Sequence, residues 1–573
     1  MAAWLHLPTD GQARRAGVVI CSPMGYEYAH SYRSLLTLAD RLAQAGLPAL
    51  RLDYHGSGAS PGDALTPGLV EKWIENVHSG IRVMEELTNR EVSLFGLRLG
   101  ATLAGVAAAR FQVDHFVAWA PVVSGRSFVR ELDAMAKIAG ATRPEAANYL
   151  EAGGFVLADE TAEDLKAIDL TRLDYRVRGD ALILERDDLP TSPALASRLS
   201  AVGVHVDILE AQGYAEMMDE PQKTIVPDAS LAVITDWLSA RAPGDGDGSI
   251  ATMAPARADR GSVRLDEFGR EELVQIEGPT RLFGVYTAPA EGTTGGHPLL
   301  VLPNSGSVHQ VGPNRVYVEL ARALARAGIP SLRLDLRNLG DSIQRGPEEE
   351  NHPYPKTAME DIGLAIEWAQ EEPGYRRVVI GGICSGAYGA FQAGLELENP
   401  ALVGALIVNP LTFYWHEGLS LDMPRAFQTI SDAKYYEGAA RDPRKWLGLL
   451  RGNSNLPYIA RFLLRHAANT TKRMVDNTLE GLGLRAPKRL AQDLLRYQGS
   501  GRRADFVFST SDPGHGILTA QAGRTLRKLT GDGTISLSFI EHADHTFSRR
   551  EWRDEVARVC IARLQGYAAK TRA

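Results

Sequence analysis

Two short runs in this chain join an apolar strand to a glycine turn, the pattern that pushes one side chain out of a strand-to-helix elbow. In the second, Val378-Val379-Ile380-Gly381-Gly382-Ile383-Cys384-Ser385-Gly386-Ala387, the projected residue is Cys384. A thiolate is a strong nucleophile in its own right, whereas a serine there depends wholly on a neighbouring base. In the first, Val92-Ser93-Leu94-Phe95-Gly96-Leu97-Arg98-Leu99-Gly100-Ala101, the projected residue is Arg98, which cannot attack a carbonyl. Ser385 is the rival nucleophile, but it would put Ile383 where the turn needs a small residue.

The elements around the two elbows also correspond. Leu42-Ala43-Gln44-Ala45-Gly46-Leu47-Pro48-Ala49-Leu50-Arg51-Leu52-Asp53 is matched at most positions by Leu324-Ala325-Arg326-Ala327-Gly328-Ile329-Pro330-Ser331-Leu332-Arg333-Leu334-Asp335, and Gly58 and Ser60 by Gly340 and Ser342. Each block follows an apolar strand (Gly17–Cys21, Leu299–Leu302) and reads strand, loop, amphipathic helix, turn, strand. That is a βαβ unit of a parallel sheet. Self-similarity at so long a period predicts a duplicated domain, not a solenoid. The Gly/Asp/Pro-rich stretch Arg241–Ser249, polar to about Arg260, reads as a linker. The expected organisation is a first domain over 1–241, a linker over 242–262 and a second domain over 263–573. The second opens on an antiparallel hairpin of Glu272–Ile276 and Arg281–Tyr286.

Bulk properties narrow the classes. A chain of 573 residues exceeds one core and predicts two to four domains. Net charge −8 gives no global attraction to nucleic acid or anionic lipid. Three cysteines, Cys21, Cys384 and Cys560, are too few and too scattered for a disulfide framework. No segment is apolar enough to span a membrane and no leader is evident, so a soluble cytoplasmic protein is expected. No metal or cofactor is called for.

These features resemble the α/β-hydrolase superfamily in two tandem copies covering nearly the whole chain. More narrowly, GLRLGA (Gly96–Ala101), RALARAGIPSLRLDLRNLGDS (Arg322–Ser342), GIC (Gly382–Cys384) and ADHTFS (Ala543–Ser548) resemble the paired hydrolases encoded beside bacterial exosortase systems, here fused. The resemblance implies an α/β fold, a mostly parallel sheet flanked by helices, with the nucleophile, an acid and a histidine in that chain order. After Cys384, the strand ending in Ser509-Thr510-Ser511-Asp512 supplies the acid. The strand Ile535–Ile540 leads to Glu541-His542-Ala543-Asp544-His545. We assign Cys384 as nucleophile, His545 as base and Asp512 as the carboxylate that orients the imidazole. His542 is the rival base, disfavoured by the ADHTFS resemblance, and Asp512 has a second reading as a loop acid before Pro513-Gly514. Oxyanion donors are expected from the backbone of Ser385 and of Ser305 in the loop Asn304-Ser305-Gly306. Asp335 and Asp341 are read as turn caps.

In the first half the aligned acid is Asp188 and the histidine slot falls near Tyr214, so that copy should not catalyse. His205 reads as structural. Arg98 is expected to fill the old pocket against Asp187 or Asp188, with anion binding as the other reading. The nucleophile-to-acid span is 128 residues in the second half (384 to 512) and 90 in the first (98 to 188), the position where the superfamily inserts a lid. Thr412–Arg503 should be that helical lid, carrying sixteen Lys/Arg against eight Asp/Glu. A basic lid could receive coenzyme A or an acyl carrier protein, with Phe413, Tyr414, Trp415, Tyr435 and Tyr436 lining an acyl pocket. The expectation is thus an acyl-transfer enzyme, a thioesterase or acyltransferase, acting on an ester or thioester. The rivals are a simple carboxylesterase and a non-catalytic acyl- or carrier-protein-binding scaffold.

Overall fold

The computed structural model describes residues 1–8, 16–88, 91–138, 147–188, 193–242, 261–265, 268–290, 296–342, 350–416 and 489–568. By compactness the chain divides into a first unit, Met1–Leu273 with Ser307–Val318, and a second, Val274–Gly306 with Glu319–Ala573.

In the first unit a seven-stranded sheet runs in the order β1-β3-β2-β4-β5-β8-β9. Its strands are β1 (Ala3–His6), β2 (Ala16–Cys21), β3 (Ala49–Leu52), β4 (Glu91–Leu97), β5 (Phe116–Trp119), β8 (Ala181–Arg186) and β9 (Val206–Ala211). A separate hairpin pairs β6 (Tyr149–Ala152) with β7 (Phe155–Ala158). Only β1 pairs antiparallel in the sheet; β2 to β5, β8 and β9 pair parallel. Parallel strands covered on both faces need near-continuous apolar runs. Accordingly, Val19 and Cys21 of β2 enter one core with Trp73, Val77, Ile81 and Met84 of the helix Leu69–Thr88. Val18 and Ile20 enter another with Leu35, Leu38 and Leu42 of the helix Tyr26–Gln44. Ser307–Val318 is held in this unit by side chains. His309 stacks on Tyr32 with ring centroids 3.7 Å apart, its Nε2 lies 3.1 Å from the Tyr28 hydroxyl, and Arg315 donates to the carbonyls of Gly58 (2.9 Å) and Ser60 (2.7 Å).

The second sheet has nine strands in the order β10-β11-β12-β14-β13-β15-β16-β17-β18. These are β10 (Ser262–Leu265), β11 (Gly269–Ile276), β12 (Leu282–Pro289), β13 (Leu299–Pro303), β14 (Ser331–Leu334), β15 (Val378–Ile383), β16 (Leu402–Val408), β17 (Arg503–Ser509) and β18 (Ile535–Ile540). β10 pairs antiparallel with β11 and β12 with β14, while β13 to β18 pair parallel. Phe391, Phe413, Tyr497 and Phe506 are buried together in its core. Read from β12, the order repeats that of the first sheet strand for strand. A mixed sheet flanked by helices is the α/β-hydrolase-like architecture that the resemblance implies. Most of the expected linker, and residues 417–488 of the expected lid with Tyr435 and Tyr436, lie outside the described residues; Thr412–His416 and the helix Arg489–Ser500 lie within them.

Candidate active site

The apolar strand β15 ends at Ile383, and the helix Ser385–Glu396 begins one residue after Cys384. Between them Cys384 takes φ 59°, ψ −115°, a backbone that L-residues adopt at a cost of about 1–3 kcal/mol. Its N–H donates to Val408 O at 3.1 Å, tying the turn to the end of β16. A Cβ on Gly382 would lie 2.5 Å from the Gly386 backbone, so glycine at 382 is a packing requirement of the turn. Cys384 is partly exposed, unlike the buried Cys21 and Cys560.

Asp512 follows β17 and His545 follows β18, so the ends of parallel strands bring residues 33 apart into contact. His545 Nδ1 lies 2.5 Å from Asp512 Oδ2, and the carboxylate is buried. Asp512 Oδ1 meanwhile accepts the Gly514 N–H at 2.8 Å, which fixes its second oxygen. Burial by itself would lower the imidazole pKa, but Cys384 and the hydrogen bond to Asp512 outweigh it and bring it up to about 10. His545 Nε2 is buried and makes no hydrogen bond of normal geometry among the described residues. His542 is exposed, with its backbone N–H on Thr510.

Ser385 Oγ accepts the Gly306 N–H at 2.8 Å, so its hydroxyl fastens the Asn304–Gly306 loop to the elbow. That loop is braced a second time. Asn304 Nδ2 donates to Asp335 Oδ1 at 2.7 Å, and Asn304 Oδ1 accepts from Leu336 N–H at 2.7 Å. Asp335 also accepts the Asp341 N–H at 3.0 Å, so beyond capping a turn it holds the loop that carries Ser305. Ser305 and Ser385 are both buried.

Of the expected pocket aromatics, Phe413 is core, packed on Phe391 at 5.0 Å and on Phe506 at 6.2 Å. Tyr414 donates to Asp493 Oδ2 at 2.6 Å. Trp415 stacks on Tyr354 at 4.3 Å, and Tyr354 meets Tyr388, one turn along the elbow helix, edge-on at 5.2 Å. Burial first, then Cys384, raise the Tyr354 phenol.

Arg98 takes φ 53°, ψ −121°, and its N–H donates to Trp119 O at 3.0 Å, so the first elbow has the same backbone as the second. The expected pairing with Asp187 or Asp188 is not what forms. Arg98 Nε donates to Glu27 Oε1 at 2.6 Å and its Nη2 to Glu131 at 3.1 and 3.2 Å. Asp188 is bound by Arg186 at 2.7 and 2.5 Å, and Asp187 accepts the Gly213 N–H at 2.7 Å. The reason is direction: Glu27, in the first turn of its helix, is buried beside Arg98, while Asp188 stays on the rim with Arg186. Burial disfavours the Arg98 charge, but Glu27 outweighs it and raises the guanidinium. Tyr214 is buried near this cluster, with Arg186 over its ring at 4.3 Å. His205 is exposed just before β9, its Nε2 3.5 Å from Asp207.

Sequence reasoning missed Glu27, Glu131, Tyr354 and Asn409. Glu27 and Glu131 lie far from Arg98 in sequence, and only a helix-face count over Tyr26–Gln44 would have flagged Glu27 as an acid on an inward face.

No family model and no curated protein matches the chain. Among solved structures it is similar to the ferulic acid complex of Est1E from Butyrivibrio proteoclasticus (16% identity over 42% of this chain and 92% of that one, TM-score 0.33). It is also similar to a monoacylglycerol lipase from Paleococcus ferrophilus (20%, 42% and 100%, 0.31) and a dienelactone hydrolase from Anabaena variabilis (13%, 51% and 96%, 0.30). At such identities and scores nothing of what those proteins bind or cleave is carried over. Among the described residues no helix is long and apolar enough to cross a membrane.

Proposed function

We propose that the chain is an acyl-transfer enzyme acting on an ester or thioester through Cys384, His545 and Asp512, built on a tandem duplication whose first copy has lost the chemistry. The observation that carries this reading is the 2.5 Å contact of His545 Nδ1 with buried Asp512 at the ends of β17 and β18, with Cys384 at the end of β15 acting to raise the same imidazole. The Cys384 thiolate attacks the acyl carbonyl carbon. The carbonyl oxygen takes up the negative charge, facing the backbone N–H groups of Ser385 and Ser305. Collapse of this intermediate breaks the bond to the leaving alcohol or thiol, which takes the proton held on His545 Nε2. Water, an alcohol or a thiol then gives its proton to His545 and attacks the acyl-cysteine, which returns the thiolate. Asp512 keeps the ring in the tautomer that presents Nε2 to sulfur. Exchange of one thioester for another costs little in leaving-group energy, which favours a thioesterase or acyltransferase with a coenzyme A or carrier-protein substrate. Trp415, Tyr354 and Tyr388 supply an apolar face for the acyl group. We place the protein in the cytoplasm.

Intact-mass spectrometry after mixing with acetyl- and decanoyl-coenzyme A and with p-nitrophenyl acetate tests the reading. An acyl adduct, absent in Cys384→Ala, is expected. No adduct from any donor, together with no alkylation of Cys384 by iodoacetamide at neutral pH, would favour a binding scaffold instead. An adduct that persists in Cys384→Ala and is lost in Ser385→Ala would make this a serine esterase.

A further inference from the structure

One buried amide in the second unit has no place in the mechanism above. Asn409 follows β16 directly, is fully buried, and sits at φ 46°. Its N–H donates to Val507 O at 3.0 Å. Asparagine tolerates this left-handed backbone better than most residues, so the bland reading is a turn residue chosen for its φ.

The side chain argues for more. Oδ1 accepts the Ser509 N–H at 2.8 Å, and Nδ2 donates both to Ser509 Oγ at 2.9 Å and to the carbonyl of His545 at 2.9 Å. Ser509 Oγ in turn donates to the carbonyl of Asp544 at 3.0 Å. The amide can face only one way in this network, since a flip would set its NH2 against the Ser509 N–H and its oxygen against a carbonyl. Two successive carbonyls, those of Asp544 and His545, therefore hang from the Asn409–Ser509 pair. They belong to an irregular loop, with His542 at φ 60° and Phe547 at φ 55°, that lies beyond the β17–β18 ladder and needs such tethers to hold one conformation.

The first unit shows the same backbone without the amide. Ala120 follows β5, takes φ 47°, and its N–H donates to Leu184 O at 2.9 Å. The left-handed turn is thus kept where the carboxamide is gone, and there the histidine slot is held by Tyr214. A choice dictated by φ alone would favour asparagine or glycine in both places.

We infer that Asn409, through Ser509, is a positioning residue that holds the His545 loop so that the imidazole meets Asp512 and Cys384 together. This rests on the proposed role of His545. The full chain, wild type and Asn409→Ala, is assayed for p-nitrophenyl acetate turnover, with His545 followed by histidine-selective NMR titration. Asn409→Ala should lower kcat by about ten- to a hundredfold with KM within about twofold, the size of loss expected when a catalytic group is misplaced by about 1 Å. The ring's titration should move down from about 10, since it loses its aligned partners. Ser509→Ala, which removes one tether and leaves the turn intact, should show a smaller loss in the same direction. Wild-type kcat and titration in Asn409→Ala overturn the inference. So does a loss that tracks only the melting temperature while the titration stays put. If Asn409→Ala does not fold, wild-type behaviour of Ser509→Ala overturns it. A control separates the two levels: should His545→Ala acylate at the wild-type rate, the proposed function and this inference both fall.

Discussion

The two elbows of this chain share a backbone and differ in everything attached to it. Cys384 and Arg98 hold nearly the same strained φ and ψ, each donates its N–H to the end of the next strand, and each starts a helix. Gly58 and Gly340, at φ 52° and 53°, match as well, since a Cβ on either would run into the carboxylate of Asp53 or Asp335. Around Cys384 the strand ends carry Asp512, His545 and Asn409; around Arg98 the corresponding places carry Asp188, Tyr214 and Ala120. The strained turn recurs with either side chain because the strand before it and the helix after it both need it as a corner. At the first elbow the projected side chain is a charge that must itself be satisfied, hence Glu27 and Glu131. Tandem duplication followed by loss in one copy is the reading that we propose for this pattern.

The contrast can be broken most severely at the nucleophile. Cys384→Ala should abolish acyl-adduct formation and lower turnover by at least about 10³-fold, while Arg98→Ala leaves kcat per folded molecule within about twofold. A turnover defect in Arg98→Ala beyond its unfolded fraction would show that the first elbow is not catalytically silent. Asp512→Asn should cost about 10²- to 10⁴-fold in kcat by favouring the wrong imidazole tautomer. Steady-state kinetics with p-nitrophenyl acetate measures it, and a loss confined to KM would count against the orienting role.

Stability should reverse the ranking of the elbows. Arg98→Met strands Glu27 in the core and should cost about 3–5 kcal/mol in urea unfolding, and adding Glu27→Gln should recover most of that. A double variant as unstable as the single would mean that Arg98 is held by packing and not by charge.

The pH dependence sharpens the other elbow. His545 is raised above its ordinary value, so the stabilisation from its charge is complete below about pH 6.5 and is lost as pH rises through about 10. Cys384→Ser removes the thiolate, so the ring should titrate lower and the loss of stability should begin at lower pH. An unchanged NMR titration would show that sulfur does not carry the shift. The smallest effect is expected at the rim: Asp188→Asn breaks an exposed pair with Arg186 and should change stability by less than about 1 kcal/mol and turnover not at all.

Much of this was legible before any coordinates. The apolar runs of β2, β4, β13 and β15 announced a parallel sheet because strands covered on both faces leave little room for polar residues. The small residues around Cys384 and Arg98 announced the elbows because nothing larger fits against the following turn. The partner of Arg98 was misread because Glu27 and Glu131 reach it from other elements, and sequence distance hides that convergence. The same holds for Tyr354, which meets Tyr388 of the elbow helix by no spacing rule.

By itself, then, the amino-acid sequence determined the strands, the turns and which elbow projects a cysteine and which an arginine, since these follow from local periodicity, glycine sterics and residue chemistry. Only the tertiary structure decided which carboxylates neutralise Arg98 and that Asn409 and Ser509 tether the histidine loop. The last of these form where the ends of β16, β17 and β18 come together, and parallel strands joined by long crossovers bring Asn409 and His545, more than a hundred residues apart, within hydrogen-bonding distance.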